Sequence, residues 1–530
     1  MTPITGHHFI AGETSQQAAP TFASLNPRTR QSGDMRFADA TAEEIHRAVS
    51  AAADAFAQTR QYSAAQLADF LDAAAQAILD LGDELLQTAD SETALGLPRL
   101  TGERGRTTGQ LQAFARLLRE GSYVSAIIDT ALPDRQPAPR PDIRRMLLPI
   151  GPVAVFAASN FPFAFSVAGG DTASAWAAGC PVVVKAHPGH PATSELVAIA
   201  LNRAVEATGF PEGWFSLLHG TSIEVGQRLI QHPKLEAVGF TGSLRAGRAL
   251  FDTAAKRERP IPVYAEMGSV NPVVILPGAL AARSDALAEG FVGSVTLGTG
   301  QFCTNPGLVL LVKSAEADAF IETVRSKMAS REAGVLLNPA IERGLTNAVE
   351  STVGRGTVQL LTGGAAVAGD ACRYANTVLT AEGVDFIHDA ALQTEHFGPV
   401  TLIVRCDSAD QLNEAVQALH GNLTGTLQAE SGDLEQAAQV AALLREKVGR
   451  LIWNGFPTGV EVVHAMQHGG PYPATTAPAT TSVGMTAVQR FLRPVAYQNM
   501  PEALLPSALH NANPLGIWRI VNNEWTKAGV

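Results

Sequence analysis

Cysteine is scarce in this sequence, with four in 530 residues: Cys180, Cys303, Cys372 and Cys406. None forms a CxxC pair, which excludes a disulfide framework and argues against a structural zinc site. Positive charge is in deficit: 39 Lys and Arg stand against 50 Asp and Glu, a net charge of −11. No basic footprint is available, so neither nucleic acid nor an anionic membrane is expected as a partner. No apolar run approaches about 18 residues, so no membrane-spanning helix is expected. The opening MTPITGHHFIAGE lacks a basic stretch followed by an apolar core. The expected compartment is therefore a reducing cytoplasm. Charged residues at 17% and hydrophobic residues at 46% are ordinary for a globular chain, and exclude a disordered or fibrous one. At about 100–200 residues per domain, this length allows roughly two to four.

What is present is periodic. Thr41 and Glu44 have capping-box spacing. Ile45, Val49, Ala52 and Phe56 then recur on one face, predicting a helix from about Thr41. Further helices are predicted from about Ser63 through Leu86 and over 104–121, where Leu111, Phe114, Ala115 and Leu118 share a side. The proline-dense PDRQPAPRPD (Pro133–Asp142) reads as an exposed connector. From Met146, short apolar runs alternate with helical stretches: Val153–Ala158, Val182–Lys185, Phe215–Leu218, Ala237–Phe240 and Val263–Met267. That alternation predicts an α/β fold with a parallel sheet covered on both faces. It continues with a helix near 284–298, a strand at Leu308–Val312, helices from 315 and a strand at Val400–Val404. The tail from Pro471 reads as loop, then one strand in RFLRPVAYQN, then 500–530 without a clear period.

Five segments carry candidate chemistry. In LGTGQFCTNPG (Leu297–Gly307), Cys303 lies among glycines after an apolar helix, where a thiol can be activated towards the thiolate. The same cysteine equally reads as a small buried hydrophobe. In VYAEMGSVNP, Glu266 ends an apolar strand, where burial would raise its pKa and make it a general base; a solvated strand end is the plainer reading. Asn160, after the strand in AVFAASNFPF, can donate to an oxyanion or simply hold a turn. Lys185 closes the strand PVVVK at the edge where parallel sheets bind ligands, and suits an anionic cofactor. His187 and His190 follow it, without a carboxylate or thiol near in sequence, so no metal site is expected there. Gly242 and Ser243 in VGFTGS lead from strand to helix and offer a phosphate site, although capping alone explains Ser243. No GxGxxG fingerprint is present.

Together these segments resemble the NAD(P)-dependent aldehyde dehydrogenases over about His7–Asn499. GQFCTNPG matches the family's cysteine signature and AEMGS its glutamate signature. SNFPFAFS, PVVVKAHP, GFTGS and EHFGP (Glu395–Pro399) match further family segments. The resemblance implies two open parallel-sheet α/β domains plus a small oligomerisation element. Residues 1–130 and 151–266 would bind cofactor, and 267–470 would form the catalytic domain. Residues 131–150 and 471–530 would form the bridging element and tail. It makes Cys303 the nucleophile, Asn160 and the Cys303 N–H the oxyanion donors, and Glu266 the base for hydrolysis. Lys185 would contact adenosine ribose, Gly242 and Ser243 the pyrophosphate, Glu395 the nicotinamide ribose, and Phe397 would pack beside it. Phe163, Phe165 and Phe302 would line the substrate tunnel. Where many NAD-preferring relatives carry a glutamate, this chain has Pro188, which admits NADP as well as NAD and leans the expectation towards NADP. A dimer or tetramer of the same chain is implied.

AGGDTASAWAAGCPVVVKAHPGHP, MQHGGPYPATT and RFLRPVAYQNMPEALLP resemble a narrower branch. It includes α-ketoglutaric semialdehyde (2,5-dioxopentanoate) dehydrogenases, which serve sugar-acid and hydroxyproline catabolism, and an NADP-dependent fatty aldehyde dehydrogenase. The branch favours the carboxylated semialdehyde, with a long-chain aldehyde as the alternative. Arg106 and Gln110, four apart on one helical face, are candidates for its carboxylate, or ordinary surface residues. A cofactor-free thiol hydrolase and a non-catalytic relative are the remaining alternatives. The phosphate turn and Lys185 oppose the first, and the joint presence of Cys303, Glu266 and Asn160 opposes the second.

Overall fold

The computed structural model describes residues 3–530. A seven-stranded sheet forms the first half, in the order Val263–Glu266, Ala237–Thr241, Val153–Phe156, Val182–Lys185, Phe215–Leu218, His8–Ile10, Glu13–Ser15. Its first five strands are parallel, and the two N-terminal strands add antiparallel at one edge. The parallel strands are nearly all apolar and buried, as expected of a sheet covered on both faces. From the central strand Val153–Phe156, the chain first builds outward through Val182–Lys185 and Phe215–Leu218. It then returns to the other side with Ala237–Thr241 and Val263–Glu266. That reversal makes a crevice at the carboxyl ends of the strands.

A second seven-stranded sheet spans 273–453, with Val273–Ile275 beside Leu308–Val312 and Asn422–Gln428. Six of its strands run parallel, and Val358–Thr362 pairs antiparallel at one edge. A third sheet orders Leu492–Gln498, Ile143–Pro149, Ile127–Asp129, Arg519–Val521 and Glu524–Thr526. The tail after 500 therefore contributes two short strands, which its aperiodic sequence does not announce.

Helix Ala42–Thr59 starts with the expected reciprocal cap: Glu44 N–H donates to Thr41 Oγ1, and Thr41 N–H to the Glu44 carboxylate. The long helix expected over 63–86 is two helices, Ala64–Leu79 and Gly82–Thr93. Gly82 takes a φ of +58° at the break, a left-handed turn that costs glycine little. The helix expected from 104 begins earlier, at Leu97, after Gly96 turns the chain at φ +85° and with Pro98 in its first turn. Among the described residues, no helix is long and apolar enough to cross a membrane.

Candidate active site

Each polar side chain singled out in the first sheet lies at a strand's carboxyl end. Lys185 closes Val182–Lys185, Glu266 closes Val263–Glu266, Gly242 and Ser243 follow Ala237–Thr241, and Asn160 follows Val153–Phe156. Cys303 reaches the same crevice from the second half. A cleft of about 400 Å³ is lined by Asn160, Gly242, Ser243, Glu266, Cys303 and Glu395, among others.

The cysteine loop is held in an unusual backbone. Gly298, Thr299 and Gly300 all take positive φ. A Cβ on Gly300 would collide with the Gly398 carbonyl, so the loop seats on the EHFGP segment only with glycine there. Behind the loop, the Asn271 amide donates to the Cys303 carbonyl (2.8 Å) and the Asn305 carbonyl (2.9 Å). Asn271 is fully buried, and its own oxygen accepts from Ser269 and Thr424.

Cys303 and Glu266 are joined through a residue that sequence reading missed. His468 Nε2 lies 3.4 Å from Cys303 Sγ and 3.0 Å from Glu266 Oε1. Ser482 Oγ–H donates to the other carboxylate oxygen and to the His468 carbonyl. Thr481 Oγ1 accepts from the His468 N–H at 2.8 Å. Glu266 and His468 are both almost wholly buried.

Two electrostatic expectations are reversed. Burial was expected to raise Glu266. Burial does act in that direction, but the His468 ring and hydrogen bonds from His468 and Ser482 outweigh it, holding the carboxyl below its usual value. Cys303 was expected to be activated by a nearby helix end. Instead, burial and the adjacent Glu266 charge push its thiol well above the ordinary value of 9.0. The thiol is therefore protonated at rest and needs a base in contact.

Asn160 is buried, and its amide donates to the Gln301 carbonyl at 3.0 Å. One of its two N–H groups remains for another acceptor. Arg99 donates to the Asn160 backbone carbonyl at 2.7 Å, fixing the turn from the other side.

The Phe165 and Phe302 rings each pack edge-on against Phe161, at 5.3 and 5.2 Å between centroids. Phe163 instead belongs to the helical core with Trp176 and Phe70, because it faces the opposite side of the turn. Phe161, two residues earlier, takes the place expected for it. Arg106 lies 5.2 Å over Phe165, and Arg99 4.7 Å over Phe302. Between them on the same helix, buried Glu103 accepts from the Phe163 and Ala164 N–H groups. Gln110 does not join this aromatic group; its amide packs on Gly170 in the protein interior.

The cofactor end fits a dinucleotide on two counts. Burial pulls Lys185 down to about 8, opposed by the charge of Asp39, so an incoming polar or anionic group is welcome there. Thr241 Oγ1 is buried beside Gly242 without a hydrogen-bond partner. Ser243 caps helix Leu244–Ala255 by accepting from Ala246 N–H at 3.3 Å, and its N-terminus opens to the cleft. Burial raises Glu395 to about 7, so its carboxyl retains a proton into the neutral range. Pro188 lines an adjoining pocket with His187, Asn338 and Arg343. Cys180, Cys372 and Cys406 are buried free thiols away from the site.

A doubly wound sheet with a cysteine, an acid and an anion-binding turn around one crevice defines a nucleotide-linked α/β enzyme class. The aldehyde dehydrogenase family model matches residues 14–473, and the chain belongs to that family. Alpha-ketoglutaric semialdehyde dehydrogenase 2 of Azospirillum brasilense is 48% identical, covering 98% of each chain. Alpha-ketoglutaric semialdehyde dehydrogenase of Acinetobacter baylyi is 44% identical, covering 99% of this chain and 100% of that one. The 1-pyrroline-5-carboxylate dehydrogenase from Thermus, solved with bound NAD, aligns at a TM-score of 0.78 and 25% identity, over 93% and 92% of the two chains. The protein is thus an NAD(P)-dependent oxidoreductase acting on aldehydes.

Proposed function

We propose that the protein oxidises 2,5-dioxopentanoate, the semialdehyde of 2-oxoglutarate, to 2-oxoglutarate, with NADP preferred over NAD. One observation carries the substrate. A partly buried guanidinium, Arg106, lies over Phe165 beside the catalytic cluster, and its Nε has no partner. A carboxylate on the substrate would satisfy that N–H, whereas a long alkyl chain would leave it buried and unpaired. The printed names of the two full-length relatives support the same reading. For the cofactor, the pocket at Pro188 contains Arg343 and no carboxylate among its lining residues. A 2′-phosphate there would meet a cation rather than repulsion.

In this reading, Glu266 takes the Cys303 proton and releases it to solvent, and the thiolate adds to the aldehyde as a thiohemiacetal. The free Asn160 N–H and the Cys303 backbone N–H stabilise its oxyanion. Bound NAD(P), held by Lys185, Ser243 and Glu395 with Phe397 beside it, supplies the hydride acceptor for this oxidation. Glu266, ionised again once that proton has left to solvent, accepts the proton of the water that cleaves the resulting thioester. The enzyme would act as a cytoplasmic homodimer or homotetramer.

The test is initial-rate production of reduced cofactor with 2,5-dioxopentanoate, NADP against NAD, and a long-chain aldehyde in parallel. Turnover of the dioxo acid, abolished in Cys303→Ala, is the expected result. Faster turnover of the long-chain aldehyde would overturn the substrate.

A further inference from the structure

Cys303, His468 and Glu266 form a cluster with a second chemical property. Their ligand atoms all lie within 4.8 Å of one another. Around a tetrahedral zinc ion, bonds of about 2.3 Å to sulfur and about 2.0 Å to nitrogen and oxygen set the spacing of the ligands. Sulfur and nitrogen then sit about 3.5 Å apart, and nitrogen and oxygen about 3.3 Å. Here Sγ and Nε2 are 3.4 Å apart, and Nε2 and Oε1 3.0 Å. We propose that these three side chains form an inhibitory binding site for a borderline-soft divalent cation such as Zn²⁺, which holds the enzyme in a reversible inactive state.

Charge and donor type agree with the spacing. A thiolate and a carboxylate neutralise a dication, so the buried site would carry no net charge with His468 neutral. Sulfur and imidazole select zinc over magnesium or calcium, which prefer oxygen. The Ser482 hydrogen bond occupies Glu266 Oε2 and fixes the carboxylate's direction, so Oε1, which faces His468 Nε2 at rest, is the oxygen that would ligate. His468 Nδ1 has no partner, so it can hold the ring proton while Nε2 ligates. Cys303 and Glu266 line the cleft together with Asn160.

The binding step balances simply. Sulfur ligates as the thiolate, so an S–H bond breaks as the sulfur–metal bond forms, and its proton leaves to solvent. No electron is transferred. The occupied sulfur cannot add to an aldehyde, and a chelator restores it. The proposal is independent of which aldehyde is the substrate.

Titration of the full-length enzyme with Co²⁺, a spectroscopic stand-in for zinc, tests it. The expected result is a thiolate-to-cobalt charge-transfer band that saturates at one ion per chain and is displaced by Zn²⁺. One proton should be released per ion. The band should vanish in Cys303→Ser. In His468→Asn and Glu266→Gln, affinity should fall by at least the ~10–100-fold typical of losing even an outer-shell partner. Circular dichroism of each variant reports its fold, and either of the last two suffices if the other misfolds. Wild-type affinity in both would overturn the site and leave only a simple thiol–metal adduct. A band that survives in Cys303→Ser would place the metal elsewhere and overturn it as well.

Discussion

At the residue scale, the resting thiol decides the chemistry. Cys303 lies well above 9.0, because burial and the Glu266 charge both oppose the thiolate. A raised pKa for an acid means less of the charged form at every pH below it. Alkylation of Cys303 by iodoacetamide, without cofactor, should therefore climb with pH and show no plateau by pH 9. An isolated thiol near about 8.5 would level off earlier. In Glu266→Gln the charge that raises the thiol is gone, so the midpoint should move down. The same variant should still form the thioester yet hydrolyse it slowly, giving a burst of reduced cofactor followed by a slow steady state. A midpoint that does not move would remove Glu266 from the account of the thiol. For Asn160→Ala, kcat should fall by about 10²–10³, the usual loss for one oxyanion donor. Its KM and its cofactor affinity should change far less. The neighbouring Gln301 carbonyl loses a donor in this variant, so a thermal melt accompanies the kinetics.

At the element scale, the cysteine loop is the most constrained piece of backbone. Gly300 combines a φ of +67° with a backbone seat against Gly398 that excludes a Cβ. Gly300→Ala should displace Cys303, and a shift of about 1 Å at a reacting atom can cost about 10²-fold in rate. Because the cofactor side of the cleft is built from other strands, dinucleotide affinity should survive. Loss of that affinity, measured by fluorescence quenching, would contradict the separation of the two halves. Much of the two parallel sheets was readable because their strands are continuous apolar runs: Val182–Lys185 and Phe215–Leu218 of the first and Leu308–Val312 of the second begin and end where the runs do. Asn422–Gln428 escaped the same reading. All seven residues are buried, yet Asn422, Thr424, Thr426 and Gln428 are polar. Their side chains instead serve the site: Asn422 accepts from Ser269 and Val270, and Thr424 donates to Asn271. His468 escaped for a different reason. It sits in an irregular loop, 165 positions from Cys303 and 202 from Glu266, so no local pattern links them. Phe163 and Gln110 pack in the interior, since a residue's spacing does not reveal which side of a turn or helix faces the cleft. The cysteine, glutamate and asparagine motifs were legible because each places a reactive group at a strand end or a glycine-rich loop. That is the edge where an α/β sheet binds its ligands.

At the scale of the whole molecule, several sheet edges are open among the described residues, and two of them bear on assembly. Val448–Trp453 pairs only with Asn422–Gln428, and Leu492–Gln498 only with Ile143–Pro149. The first edge carries Leu451 at 43% exposure and Trp453 at 51%, spaced two apart and so on one face. A long exposed edge with large apolar side chains invites another chain unless it is covered. The third sheet ends on the short strand Glu524–Thr526 at one side and on the seven-residue Leu492–Gln498 at the other, so Leu492–Gln498 is its longer edge. Pairing it with Val448–Trp453 of a second copy would join two sheets, cover Trp453, and build a closed two-fold assembly in which each chain gives one edge and takes the other. The proposed homo-oligomer therefore makes a sharp prediction. Light scattering on the purified chain should give at least twice the 55.6 kDa of one copy. The double substitution Leu451→Lys and Trp453→Lys should lower that mass, because charge on this edge opposes pairing and both side chains are exposed in the single chain. Neither strand lines the active-site cleft, so the dissociated variant should keep cofactor binding. An unchanged mass in the variant would move the interface elsewhere. A monomeric wild type would leave both edges open and require that the twist and side chains of the strands alone keep copies apart.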